Sequence, residues 1–92
     1  MYLIAFNFSQ PPPREELLPE RALLGALWSM TQPGDGIEHI RVHPSRAGAR
    51  GVVFCLAQDG GQAATRVRAL CERALREAPA LHGWLLSSVD RA

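Results

Sequence analysis

The chain has 92 residues, of which 47% are hydrophobic and 21% are charged, a composition typical of globular proteins. Its formal net charge of +1 provides no overall field that would attract nucleic acid or an anionic membrane surface. No apolar run approaches the ~20 residues that span a bilayer, and the first residues lack the basic segment of a signal peptide. We therefore predict one domain over residues 1–92, with no membrane partner.

Six segments follow one another along the chain, four short and two long. The short ones are rich in β-branched and aromatic residues and predict strands, whereas the long ones are rich in Leu, Ala, Arg and Glu and predict helices. In chain order they are Tyr2–Phe8, Glu15–Met30, Ile37–His43, Arg50–Ala57, Gln62–Ala78 and Trp84–Val89. This order predicts an α+β protein of ferredoxin-like topology, βαββαβ, with a four-stranded antiparallel sheet (order 4-1-3-2) and two helices on one face.

Local signals set the expected helix boundaries. Pro19 suits the first turn of a helix but not its interior, so the regular part of the first helix is expected to begin near Leu18. Asp59 and Gln62 have the spacing of a capping box, which predicts the start of the second helix, and Pro79 ends that helix.

The predicted strands differ in polarity. The first and third are apolar on both faces, which is typical of strands at the centre of a sheet. The second alternates, because Ile40 and Val42 point one way while His39, Arg41 and His43 point the other way. Alternation of this kind is expected at a sheet edge, in agreement with the order 4-1-3-2.

Two helices cover only one face of a four-stranded sheet, so the central strands are expected to project apolar side chains from the uncovered face. We favour the larger side chains outward, because small residues suit the close approach of a helix. The alternative orientation of the two strands places Leu3, Ala5, Val53, Cys55 and Ala57 outward. The predicted interface residues are then Tyr2, Ile4, Phe6, Phe8, Val52, Phe54 and Leu56. Such a patch exceeds what soluble monomers normally expose, which predicts a homodimer or a complex with a partner protein. The alternatives are a loop folded over the sheet or tolerated surface hydrophobics.

The densest cationic cluster consists of His39, Arg41 and His43, with Arg50 across the hairpin. All ten residues of the Lys and Arg class are Arg, whose guanidinium makes planar bidentate contacts with phosphates and carboxylates. The cluster predicts a site for an anionic ligand or an acidic partner. The alternative is the solvated face of an edge strand, where charges prevent unwanted strand pairing.

No catalytic or metal-binding pattern emerges from the residue spacing. His39 and His43 are four positions apart, which is ~13 Å on a strand and too far for one metal ion. Ser87, Ser88 and Asp90 do not form a nucleophile–base arrangement that a sequence can identify. We predict no catalytic residue, no metal site and no cofactor, and a non-catalytic protein is favoured over an enzyme.

The two cysteines indicate the cellular compartment. Cys55 and Cys71 lie in apolar surroundings and lack the CxxC spacing of metal or redox sites. They are predicted to be free buried thiols, as expected in the reducing cytoplasm.

Two segments resemble motifs of RNA-recognition-motif domains, which share the predicted topology. Arg50–Leu56 resembles the third-strand motif of these domains, and Leu3–Phe8 resembles their first-strand motif. The resemblance implies RNA binding by stacking of bases on aromatic side chains of the sheet. Ile4 and Val52 stand where stacking aromatics belong, which leaves Phe54 alone.

The predicted function is that of a small interaction, accessory or regulatory module that binds itself or a partner protein through the uncovered sheet face. The first alternative is a small-molecule-binding protein or small enzyme of the dimeric α/β-barrel type, with its pocket between sheet and helices. A buried His or Arg at an internal cavity would favour that alternative. An RNA-binding protein is the third hypothesis.

Overall fold

The computed structural model describes all 92 residues of the protein. Its elements are β1 (Tyr2–Ser9), α1 (Glu20–Ser29), β2 (Ile37–Ser45), β3 (Gly48–Cys55), α2 (Gly60–Glu77), a short 3-10 helix (Pro79–Leu81) and β4 (Leu85–Arg91). All neighbouring strands are antiparallel, and their order is β2-β3-β1-β4. The predicted α+β fold of ferredoxin-like topology is confirmed, including the order 4-1-3-2. Neither helix is both long and apolar enough to cross a membrane.

The first helix begins two residues later than predicted. Pro19 is its N-cap, with an extended backbone (ψ 140°), and the Pro19 carbonyl accepts a bond from the Leu23 amide at 3.1 Å. A proline forces the residue before it into extended backbone, so Leu18 lies outside the helix. Leu23 and Leu27 then form the buried side of α1, while Trp28 is 40% exposed.

The second helix begins where the capping pattern predicts. The Gln62 amide donates to Asp59 Oδ1 at 2.7 Å, which satisfies one of the free amides in the first turn. The Gln62 side chain in turn accepts from the amide of Gln58 at 2.7 Å. At the other end the helix stops before Pro79, which starts the 3-10 helix.

The core lies between the two helices and one face of the sheet. It contains 18 buried hydrophobic residues and no buried polar or charged side chain. Phe6 lies at its centre, and its ring covers Gly51, the residue directly opposite on β3, where any added Cβ would collide with the ring. The Phe8 ring lies 5.0 Å from Phe6 and 6.3 Å from Trp84, so the aromatic side chains of β1 connect the sheet to the segment before β4.

The predicted orientation of β1 is wrong. The four β1 residues that were expected on the uncovered face point towards the helices instead: Tyr2, Ile4, Phe6 and Phe8. Three of them are at most 4% exposed, and Tyr2 is half-buried on the same side. The physical reason is Asn7, because its amide would lose its hydrogen bonds with water if the strand were turned over. The residues of β1 that remain on the uncovered face are Leu3, Ala5, Asn7 and Ser9.

Candidate functional site

The sheet surface opposite the helices carries three cross-strand rows of side chains. Within each row the residues are direct neighbours in the strand registers, read from β2 to β4. The first row contains His39, Phe54 and Leu3. The second row contains Arg41, Val52, Ala5 and Asp90, and the third row contains His43, Arg50, Asn7 and Ser88. We call the surface formed by these residues the open face.

The structure brings together the whole predicted cationic cluster. His39, Arg41 and His43 project from β2, and Arg50 of β3 lies directly opposite His43. Of the predicted interface residues, Val52 and Phe54 lie on the open face. Leu56 is exposed one residue beyond the end of β3.

An apolar patch occupies the middle of the open face. Its members come from the two central strands and are Leu3, Ala5, Val52 and Phe54. Leu3 is 43% exposed, and the Phe54 ring meets the His39 ring edge-on at a centroid distance of 5.3 Å. The two outer strands surround this patch with polar side chains. An apolar centre with a polar rim is the usual anatomy of a protein–protein interface.

Charge is distributed unevenly between the two edges of the open face. Arg41 and Arg50 form no ion pair, since both ion pairs of the protein lie elsewhere, between Arg73 and Asp35 and between Arg76 and Glu77. Asp90, on the opposite edge strand, is likewise unpaired and exposed. The β2 edge is therefore basic and the β4 edge acidic.

A concave region lies where the third row ends. A cleft of about 650 Å³ lies between the ends of the strands, and a shallower depression of about 430 Å³ adjoins it. Asn7, His43 and Arg50 contribute to both. The polar residues of the larger cleft are Asn7, Ser9, His43, Ser45, Arg50, Ser87 and Ser88, and we call it the serine cleft.

The space between sheet and helices offers no comparable site. Its lining is entirely hydrophobic, and none of the His and Arg residues of the chain is buried. The pocket expected for a protein of the dimeric α/β-barrel type is therefore missing from this position. The serine cleft lies on the other side of the sheet, on the open face.

The two cysteines are buried, free and poorly suited to chemistry. Burial raises the pKa of the Cys71 thiol to about 12. Burial also raises the pKa of Cys55, although the nearby Arg66 guanidinium opposes that shift. Both thiols therefore stay protonated and unreactive near neutral pH. No three His, Cys, Asp or Glu side chains lie close enough together to hold one metal ion.

The structure also locates the residues that resemble the RNA-recognition-motif pattern. Ile4 is fully buried against the helices, whereas Val52 and Phe54 lie on the open face. One aromatic ring, that of Phe54, is therefore available for base stacking, where such domains use two or three.

Asn7, Ser88 and Asp90 lie on the open face but were not among the residues predicted there, while Leu3 and Ala5 belong to the alternative orientation of the first strand. A signal for β1 was present, since Asn7 is the one strongly polar residue of that strand and marks its solvent side. No comparable signal exists for Asp90, whose place opposite Ala5 depends on long-range strand pairing.

Comparison with known proteins adds no assignment, because no protein-family model, curated protein or solved structure matches the chain. The fold itself hosts many unrelated functions. The open face, with its apolar centre, polar rim and cleft, is thus the candidate functional surface of the protein.

Proposed function

We propose that the protein is a non-catalytic interaction module whose open face binds a second copy of the same chain. The observation that carries this proposal is the order of side chains across the open face. This order makes the face complementary to the same face of a second copy. Its basic edge and its acidic edge are on opposite sides of an apolar centre. A surface arranged in this way can satisfy a two-fold symmetric contact.

Consider a two-fold axis that runs parallel to the strands, between β1 and β3. Rotation about this axis places β2 of one copy over β4 of the other and keeps each row opposite itself. Arg41 then faces Asp90 of the second copy, and the same pair forms a second time by symmetry. In the first row, Phe54 packs on Leu3 of the second copy. Charges and apolar groups are thus matched at the same time.

The other symmetric arrangement is unfavourable. An axis perpendicular to the strands would place β2 over β2 and β4 over β4. Arg41 would then face Arg41 of the second copy, and Asp90 would face Asp90. Like charges facing each other across an interface cost several kcal/mol. The charge pattern therefore selects the axis parallel to the strands.

The size of the open face sets the expected strength of the dimer. Four strands ~4.8 Å apart and eight residues long form a surface of about 20 by 27 Å, or roughly 500 Å² per copy. Stable interfaces bury ~800 Å² per partner, so this interface lies towards the lower end. We therefore expect a reversible dimer with a dissociation constant in the micromolar range.

A charge exchange tests the proposal. Arg41→Asp alone and Asp90→Arg alone each place like charges opposite one another and should weaken the dimer about tenfold or more. The double substitution recreates both ion pairs with their charges exchanged and should restore the affinity to within about threefold of wild type. The dissociation constants are measured by sedimentation equilibrium at low salt, where exposed ion pairs are screened least.

Arg68→Asp is the matched control. It makes the same change of charge on the exposed side of α2, away from the open face, and should leave the dissociation constant unchanged. A double variant that dimerises as weakly as either single variant would contradict the proposed arrangement.

The proposal also includes a reducing compartment such as the cytoplasm. Both cysteines are free and buried, and burial holds the pKa of Cys71 near 12. Free thiols of this kind are the rule where disulfides do not form.

A further inference from the structure

The serine cleft groups several hydrogen-bond donors around the third row of the open face. One guanidinium, one imidazole, one amide and four hydroxyl groups line it, and its other lining residues are Phe8, Pro44, Ala47 and Ala49. None of its lining residues is a carboxylate. The cleft therefore offers positive charge and donors, and no negative charge that would repel an anion.

The space in the cleft comes from small residues and from an irregularity in β4. The register between β1 and β4 shifts after the pair Asn7 and Ser88, so that Phe8 pairs with Leu86 and Ser87 is skipped. Regular alternation would send Ser87 to the opposite face from Ser88. The bulge instead brings both hydroxyl groups to the cleft, and bulges often redirect side chains in this way at functional sites.

One hydrogen bond inside the cleft uses the Asn7 amide and leaves the Ser88 hydroxyl and the Arg50 guanidinium free to donate. Asn7 Nδ2 donates to Ser88 Oγ at 3.0 Å, which fixes both side chains. Because Ser88 Oγ accepts this bond, its own O–H can be donated to a ligand. Arg50 makes no hydrogen bond or ion pair through its side chain, so its guanidinium is available for a bidentate contact.

We infer that the serine cleft binds the phosphate group of a small phosphomonoester. A phosphate presents several strong acceptor oxygens, which match a guanidinium next to a group of hydroxyls. The volume of about 650 Å³ is within the range of small-molecule sites and leaves room for an organic part beside the phosphate. Arg50 holds the phosphate, Ser87 and Ser88 donate to it, and His43 borders the site. Every one of these residues belongs to one copy, so a monomer holds the complete site. Because Asn7, His43, Arg50 and Ser88 also form the third row of the open face, the phosphate competes with the second copy in the proposed dimer.

The test is a titration with inorganic phosphate at constant ionic strength, followed by the backbone amide resonances of the protein. We expect saturable shifts of Asn7, Arg50, Ser87 and Ser88 with a millimolar dissociation constant. Arg50→Ala should weaken the binding about tenfold or more, because it removes a charge-assisted contact. Arg50→Lys should retain part of the affinity through the remaining charge.

Three controls test whether the binding is specific to the serine cleft and to phosphate. Arg68→Ala, on the exposed side of α2, should bind phosphate as the wild type does. Arg41→Asp should bind phosphate at least as well as the wild type, because Arg41 does not line the cleft and the weakened dimer leaves the third row uncovered. Acetate at the same ionic strength should bind more weakly. Non-saturable shifts, equal affinity in Arg50→Ala, or acetate binding as tight as phosphate would overturn the inference.

Discussion

Cys71 is a fully buried residue of α2, and its thiol makes the stability of the fold decrease at high pH. Its pKa is raised by burial from the ordinary 9.0 to about 12. Between these values the unfolded chain loses the thiol proton while the folded protein keeps it. The unfolded state then binds fewer protons, so the free energy of unfolding falls as the pH rises, by about 1.4 kcal/mol per pH unit. Below about pH 9 the residue contributes no pH dependence.

We predict that the free energy of unfolding falls with pH more steeply in the wild type than in Cys71→Ala. Urea unfolding of the wild type and of Cys71→Ala is measured from about pH 8 to about pH 11, and the variant should lose less stability per pH unit. The packing lost with the thiol group lowers the variant's stability equally at every pH, so it does not affect the slope. Equal slopes above pH 9 would show that the thiol ionises in the folded protein as it does in the unfolded chain.

Asn7 determines which face of β1 is turned towards the helices. The strand Tyr2–Ser9 is apolar at almost every position, and hydrophobicity alone does not distinguish its two faces. The volumes of the side chains favour the larger ones outward, yet the Phe6 ring fills the core above Gly51 and the Phe8 ring packs beside it. Asn7 indicates which face of β1 is exposed, because an amide buried without hydrogen bonds would destabilise the fold.

At the level of elements, one ion pair connects three segments of the chain. Arg73 of α2 donates to Asp35 Oδ2 at 2.7 Å and to the carbonyl of Met30 at 3.1 Å. Both charged side chains are only 16% exposed. The pair therefore ties the end of α1 and the turn before β2 to the second helix.

Arg73→Ala should lower the free energy of unfolding by about 1–3 kcal/mol, because the half-buried Asp35 carboxylate loses its cationic partner and keeps only the Gln32 amide, while the Met30 carbonyl loses the guanidinium. The matched comparison is Arg76→Ala, which removes an exposed pair whose atoms are 3.4 Å apart, and should cost less than about 0.5 kcal/mol. Both values come from urea unfolding. An equal loss of unfolding free energy in the two variants would show that the Arg73–Asp35 pair stabilises the fold no more than the exposed pair does.

The sequence was sufficient for the order of the elements and for their place in the sheet. Alternation in β2 marked an edge strand, apolar composition marked β1 and β3 as central, and the capping residues located the start of α2. The start of α1 was misplaced because Pro19 acts as the N-cap rather than as a residue within the first turn. That distinction depends on backbone angles that composition does not reveal.

At the scale of the whole molecule, the candidate site depends on strand registers that link distant parts of the chain. Arg41 and Asp90 share a row only because β2, β3, β1 and β4 pair with particular offsets. The serine cleft likewise depends on one skipped residue in β4. A periodic pattern in the sequence identifies the face of a strand but not its offset against a neighbour, so neither feature could be predicted in advance.

The open face and the serine cleft are also related to each other in the proposed dimer. The axis parallel to the strands keeps each row opposite itself, so the clefts of the two copies lie at the same end of the assembly. Arg50 of each copy then lies opposite Asn7 of the other. Phosphate binding and self-association thus use the same third row of the open face and are expected to compete, while the helix side of the sheet supplies stability.

The central claim is that a second copy covers the open face with the strands of the two copies aligned. The most direct measurement is a mixed-label NMR experiment, in which one half of the sample is isotopically labelled and only contacts between copies are detected. The proposed arrangement predicts contacts between the Phe54 ring of one copy and the Leu3 methyl groups of the other. A sample at high micromolar concentration without any contact between copies, or with contacts confined to α1 and α2, would contradict it.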